Sequence, residues 1–95
     1  MRTEIIHKIP QGKLVRLFLD FDTTHLLSIK ICGDFFIHPE ETVIEMERLL
    51  THLSIESSTS RVKMLLDRAV DTHHAQLIGV DTQTLSQLIC EAINP

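Results

Sequence analysis

The hydrophobic pattern of this chain changes period once, and that change limits what it can fold into. In the first third, apolar residues recur at every second position; from Pro39 onward they recur at every third or fourth. Val15, Leu17, Leu19 and Phe21 alternate with Arg16, Asp20 and Asp22, and Leu27, Ile29 and Ile31 alternate with Ser28, Lys30 and Cys32. Period two places successive side chains on opposite faces of a strand, so these stretches predict half-buried strands with one face toward a core. Ile5, His7 and Ile9 outline another strand before them. In Ile9-Pro10-Gln11-Gly12-Lys13, Pro supplies the φ of about −65° that a type I turn wants, and Gly the positive φ of a following bulge. Asp22-Thr23-Thr24-His25 reads as the next turn. The product is a three-stranded antiparallel meander with one wet face.

Helical spacing takes over after the meander. Pro39 suits the first turn of a helix, and Glu40 and Glu41 complement the positive end of its dipole. Val43, Met46, Leu50 and Leu53 follow as one stripe, widened by Ile44 and Leu49. The hydroxyls of Ser57-Ser58-Thr59-Ser60 are candidate caps for a second helix from Arg61 to Thr72, whose stripe is Val62, Leu65, Leu66, Ala69 and Val70. Gly79 breaks the pattern and Asp81 caps a third helix with Leu85, Leu88, Ile89, Ala92 and Ile93 on one side; Asn94-Pro95 ends it. Strands followed by helices predict an α+β fold, a three-stranded antiparallel sheet with about three helices covering one face.

Composition narrows the class of function. The 95 residues make one domain, 1–95. A chain of this size buries somewhat over ~60% of the surface its unfolded form exposes, enough for a thin but independent core. Formal net charge is −4 and Lys and Arg are scattered, so nucleic acid is not an expected partner. Apolar runs are too short for a membrane span, and the N-terminus lacks the apolar stretch of a signal peptide, so the expected compartment is the cytoplasm. The two cysteines, Cys32 and Cys90, are expected to be reduced and largely buried.

Catalytic signatures are not found. His73 and His74 are adjacent, so on a helix they point about 100° apart and do not chelate one metal; they read as residues of a helix end. His52 reads as another last-turn residue and His38 as a loop residue. Glu40, Glu41, Glu45 and Glu47 read as dipole and solubility residues on the start and exposed face of the first helix. The chain has no G-x-S-x-G elbow, Walker loop or G-x-G-x-x-G. No catalytic and no metal residue is assigned.

The stretch at the change of period is unusual. Cys32-Gly33-Asp34-Phe35-Phe36-Ile37-His38-Pro39-Glu40-Glu41 holds two of the four Phe residues of a chain without Trp or Tyr. Strand alternation forbids Phe35 and Phe36 from entering the same core, so one is expected inside and the other facing outward or covering an edge. An outward Phe either caps the sheet under the following helix or serves as an aromatic anchor for a partner. Gly33 and Asp34 suit a tight bend where the strand leaves the sheet. Lys8 and Lys13 flank the first hairpin turn.

Taken together, Lys8-Ile9-Pro10-Gln11-Gly12-Lys13-Leu14-Val15-Arg16 and the stretch from Ile31 to Glu41 resemble the accessory, C-terminal domain of lipoate–protein ligases. That family has a K-x-x-x-G-K-L-V hairpin, then a G-D-F-F-x-x-P-E-E turn into the first helix, then a G-V-D/S stretch, matched here by Gly79-Val80-Asp81. The resemblance runs from about Lys8 to Ile93. It implies a free-standing accessory subunit working with a catalytic subunit, which would hold ATP, magnesium and lipoate, none of them bound by this chain alone. The family's reaction makes lipoyl-adenylate and then lipoylates a lysine of a lipoyl carrier domain, and the accessory domain is implied in the first step. The residues it marks are Lys8, Gly12, Lys13, Gly33, Asp34, Phe35, Phe36 and Pro39, for partner binding or support of adenylation. Two other readings remain open: an interaction or regulatory module with an unrelated partner, and a small self-sufficient acyl-transfer enzyme.

Overall fold

A computed structural model describes residues 1–10 and 12–94. Its elements run β1 (Arg2–Lys8), β2 (Leu14–Phe21), β3 (Leu26–Gly33), β4 (Phe36–His38), α1 (Glu41–Leu50), α2 (Thr59–His73), β5 (Gln76–Ile78) and α3 (Thr82–Ile93). β1, β2 and β3 form the expected antiparallel meander in that spatial order, with Leu17 between Ile5 and Ile31. Val15, Leu17, Leu19, Phe21, Ile29 and Ile31 are buried on its inner face. There α1 lies against β3 and α3 against β1 and β2, while α2 packs on both α1 and α3. The α+β expectation is met.

Turn and cap chemistry follow the sequence closely. Gly12 N–H donates to the Ile9 carbonyl at 2.8 Å and Ile9 N–H to that of Lys13 at 3.1 Å, closing the first hairpin. Gln11, inside that turn, and Pro95, after α3, lie outside the described residues, and the expected positive φ at Gly12 with them. The Ser58 hydroxyl accepts from Arg61 N–H at 3.1 Å and the Asp81 carboxylate from Thr84 N–H at 2.6 Å, so each satisfies an orphan donor of its helix. His73 closes α2 and His74 follows it with φ of 48°, as expected of a helix end.

The β2–β3 turn is held by one carboxylate. Asp22 accepts from the N–H and hydroxyl of Thr24 at 2.7 and 2.9 Å and from His25 N–H at 2.7 Å. The His25 backbone hydrogen bond, followed by those from Thr24, holds its pKa down to about 2 from 3.8. A depressed carboxylate stabilises the fold above its unfolded pKa, and that contribution disappears as pH falls through the folded value. The Asp22 carboxyl is therefore expected to titrate in NMR with a midpoint of about 2. Asp22→Asn, which can still accept hydrogen bonds, should remove this residue's share of the acid-side loss of stability while keeping the turn.

Several side chains depart from the simple periodic reading. Leu27 was expected inward, yet Leu26 is buried and Leu27 is 42% exposed. The ladder shifts register between Asp20 and Phe21, pairing Asp20 with Ser28 but Phe21 with Leu26. The bulge leaves Leu27 without a partner and reverses the parity of what precedes it. Ile44 lies outside the buried stripe of α1, and Thr42 takes the place it was expected to widen. Pro39 stands ahead of α1, after a cis His38–Pro39 bond, rather than in its first turn; its carbonyl accepts from Thr42 N–H at 3.0 Å. Glu47 is not a solvated helix residue: its carboxylate accepts from Ile31 N–H at 2.8 Å, closing a donor on the open edge of β3. His52 sits past the end of α1 with φ of 72°, donating its N–H to the Leu26 carbonyl, and His38 belongs to β4. Both cysteines are free but only half-buried, Cys32 because it lies on the outward row of the sheet.

One element was not anticipated at all. β4 and β5 pair antiparallel, Phe36 opposite Ile78, Ile37 opposite Leu77 and His38 opposite Gln76. This small second sheet ties the exit of the meander to the segment before α3. It also places the Phe pair.

Candidate functional site

Three separate segments converge at the end of the meander. Gly33 ends β3 opposite Val15, and Asp34 then grips the first residue of β2 twice. Its backbone N–H donates to the Leu14 carbonyl at 3.1 Å, and its carboxylate accepts from Leu14 N–H. The bend is thus stitched to the residue after Lys13. Gly33 has φ of 155°, and a Cβ there would overlap the Leu14 carbonyl oxygen and come within 2.9 Å of the Phe35 ring. No other residue type fits this crossing without moving backbone.

The third segment arrives from β5. Gly79, φ 85°, turns the chain from β5 into α3. A Cβ on it would overlap Cγ of Lys13 and lie 3.6 Å from Cβ of Phe35. Lys13 and Phe35 therefore both approach Gly79, although each is far from it in the chain. Lys8 is the cross-strand partner of Leu14 and exposed, so both hairpin cations stand at this end of the sheet. Among the described residues neither Lys8 nor Lys13 makes an ion pair.

The Phe pair divides as strand geometry requires. Phe35 is half-buried and packs on the core cluster, whereas Phe36 is 65% exposed. The next residue, Ile37, points inward at 6% exposure, which fixes the outward orientation of Phe36 on β4. Directly across the ladder Ile78 is 50% exposed, so Phe36 and Ile78 form an outward cross-strand pair. The α1 helix does not close over Phe36, so it is not the cap that one sequence reading allowed. Ile78 was not singled out from sequence, because a three-residue strand between a helix and a glycine leaves too short an alternation to read. Gly79 was read only as a breaker; its contact with Lys13 needs the hairpin folded over it.

The site residues do not form one cluster. Lys8, Gly12, Lys13, Gly33, Asp34 and Phe35 share the corner; Phe36 extends it along β4. Pro39 lies beyond that strand and shapes the entry to α1. Among the described residues no three His, Cys, Asp or Glu side chains converge on a metal position, and no step is assigned to a metal on this chain. No helix of the described residues is long and apolar enough to cross a membrane. Two open hollows of about 510 and 540 Å³ lie elsewhere, along the outer side of α2 and on the outer face of the sheet. Chemically, the corner can present an aromatic–aliphatic contact and, beside it, an unpaired ammonium group.

Comparison with known proteins is in line with the resemblance read from the sequence. No family model matches the chain. It is similar to "Lipoate-protein ligase A subunit 2" of Thermoplasma acidophilum, 34% identical over 59 residues, or 62% of this chain and 63% of that protein. The match thus spans somewhat less than two thirds of the relative's length. Among solved structures, a chain from "a bi-partite lipoate protein ligase and its E2 lipoyl domain" of the same organism has the same fold. Its TM-score is 0.68 at 24% identity, covering 92% of this chain and 94% of that one.

Proposed function

We propose that this chain is the accessory subunit of a two-chain lipoate–protein ligase, and that it docks on the catalytic subunit through Phe36 and Ile78. The observation that carries the docking surface is the outward Phe36–Ile78 pair, 65% and 50% exposed, beside the hairpin and bend that resemble the family. The similarity to a ligase subunit 2 supports the assignment to such a system. Large apolar side chains set on rigid strands bury area at little entropic cost, which makes an aromatic residue of this kind a good anchor.

In this reading ATP, magnesium and lipoate are held by the catalytic partner. The lipoate carboxylate attacks the α-phosphate of ATP, pyrophosphate leaves, and a mixed anhydride forms. A lysine amine of the lipoyl carrier domain then attacks the acyl carbon and releases AMP. The anhydride is easily hydrolysed, so the first step needs a closed, water-poor site. A rigid domain docked beside that site orders the partner's loops and closes it. The contribution of this chain is to position and exclude water, with its cations near developing negative charge.

The test is lipoate-dependent pyrophosphate release by a catalytic subunit from the same source, with and without this chain. Release is expected to rise strongly on its addition; equal activity of the catalytic subunit alone would sink the proposal. Phe36→Ala should weaken subunit binding by about 2 kcal/mol, ~30-fold in Kd, with little change in unfolding. Ile78→Ala should act in the same direction and less strongly.

A further inference from the structure

We propose that Gly79 is a positioning residue: its bare backbone seats the stem of Lys13 and so holds the Lys13 ammonium toward a phosphate group of the nucleotide in the docked partner. The seat follows from the geometry of this chain; the phosphate rests on the accessory-subunit reading. An exposed lysine ordinarily spreads its charge over many rotamers. Lys13 is exposed, and among the described residues it has no ion-pair partner to restrain it. Its Cγ occupies space that any side chain at position 79 would claim, so the bare glycine leaves room for the first part of the stem.

The seat is rigid from both directions. Before it, β5 pairs with β4; after it, Val80 is 9% exposed and Asp81 caps α3. Phe35 stands beside it, 3.6 Å from where the missing Cβ would be. Gly79 also follows Ile78 directly, so the backbone that seats the lysine stem is one residue from the docking pair. The ammonium lies three bonds beyond Cγ, which suits an oxyanion held at the rim of that contact. Among the described residues Lys8, on the neighbouring strand end, is not one of the nearest neighbours of any glycine.

A double-mutant cycle separates this role from a turn glycine's ordinary need for positive φ. Lys13→Ala, Gly79→Ala and the double variant are compared first in urea unfolding of the full chain. Gly79→Ala is expected to cost less stability when Lys13 is already Ala, because only the φ strain remains. Where Gly79→Ala does not fold, Gly79→Asn, better tolerated at positive φ, replaces it. In the complex, each single variant should lower kcat/KM for ATP about tenfold while leaving affinity for the catalytic subunit unchanged, and the double variant should be no worse than Lys13→Ala. Additive unfolding costs overturn the seat. Coupled unfolding with unchanged kcat/KM for ATP, or with lost subunit affinity instead, overturns the phosphate assignment. If the unsubstituted chain fails to stimulate the catalytic subunit, the accessory reading and the phosphate fall together, and the unfolding cycle still decides the seat.

Discussion

Leu17→Ala is expected to lower the free energy of unfolding by about 3–5 kcal/mol. Leu17 lies in the central strand, is 0% exposed, and is flanked on the inner face by Ile5 and Ile31. Truncation loses the transfer free energy of the removed carbons and leaves a cavity that cannot collapse, because the strands on both sides hold it open. Domains of this size have only about 5–15 kcal/mol in total, so the loss is a large share. The neighbouring Phe18 is the control. It points to the outer face at 39% exposure, with the Arg16 guanidinium 5.7 Å from its ring centroid. Phe18→Ala should cost about 1 kcal/mol or less, since an exposed cation–π contact and partial burial are all it loses. Urea denaturation followed by circular dichroism measures both; equal costs would contradict the one-sided burial of the sheet.

Gly33→Ala is expected to cost about 2–4 kcal/mol, from steric overlap together with an unfavourable φ. The added Cβ would overlap the carbonyl oxygen of Leu14 and press on the Phe35 ring. That oxygen cannot swing away freely, because it accepts the Asp34 N–H while Leu14 N–H is held by the Asp34 carboxylate. Relief requires breaking this pair or displacing Phe35, and either opens the corner on which Lys13 rests. Gly12→Ala is the comparison. There a Cβ meets chiefly the Ile9 side chain, at 2.9 Å, and side chains yield more readily than a stitched backbone. A smaller loss at Gly12 than at Gly33 is therefore expected in the same unfolding experiment.

Much of this architecture was legible because it depends on local rules. Alternation in β2, the stripes of α2 and α3, the caps at Ser58 and Asp81 and the turn at Gly12 each follow from a few neighbouring residues. Leu27 and Leu26 show where such rules end. Both are leucines, and which one enters the core is set by a bulge opposite Asp20 and Phe21, on another strand. Glu47 is a similar case: its partner is an edge N–H of β3, sixteen residues away in sequence. A helix-face reading cannot see that edge.

The candidate site divides along the same line. That Phe35 and Phe36 must face opposite ways was determined by sequence, because adjacent residues of an extended chain alternate. Which of them faces out was decided only when β4 paired with β5 and buried Ile37, setting the phase of the strand. Lys13 and Gly79 were each visible as a hairpin cation and a helix breaker. That one lies on the other follows from the meander and the β5–α3 joint meeting at one corner, a contact between segments more than sixty residues apart that no period in the sequence encodes.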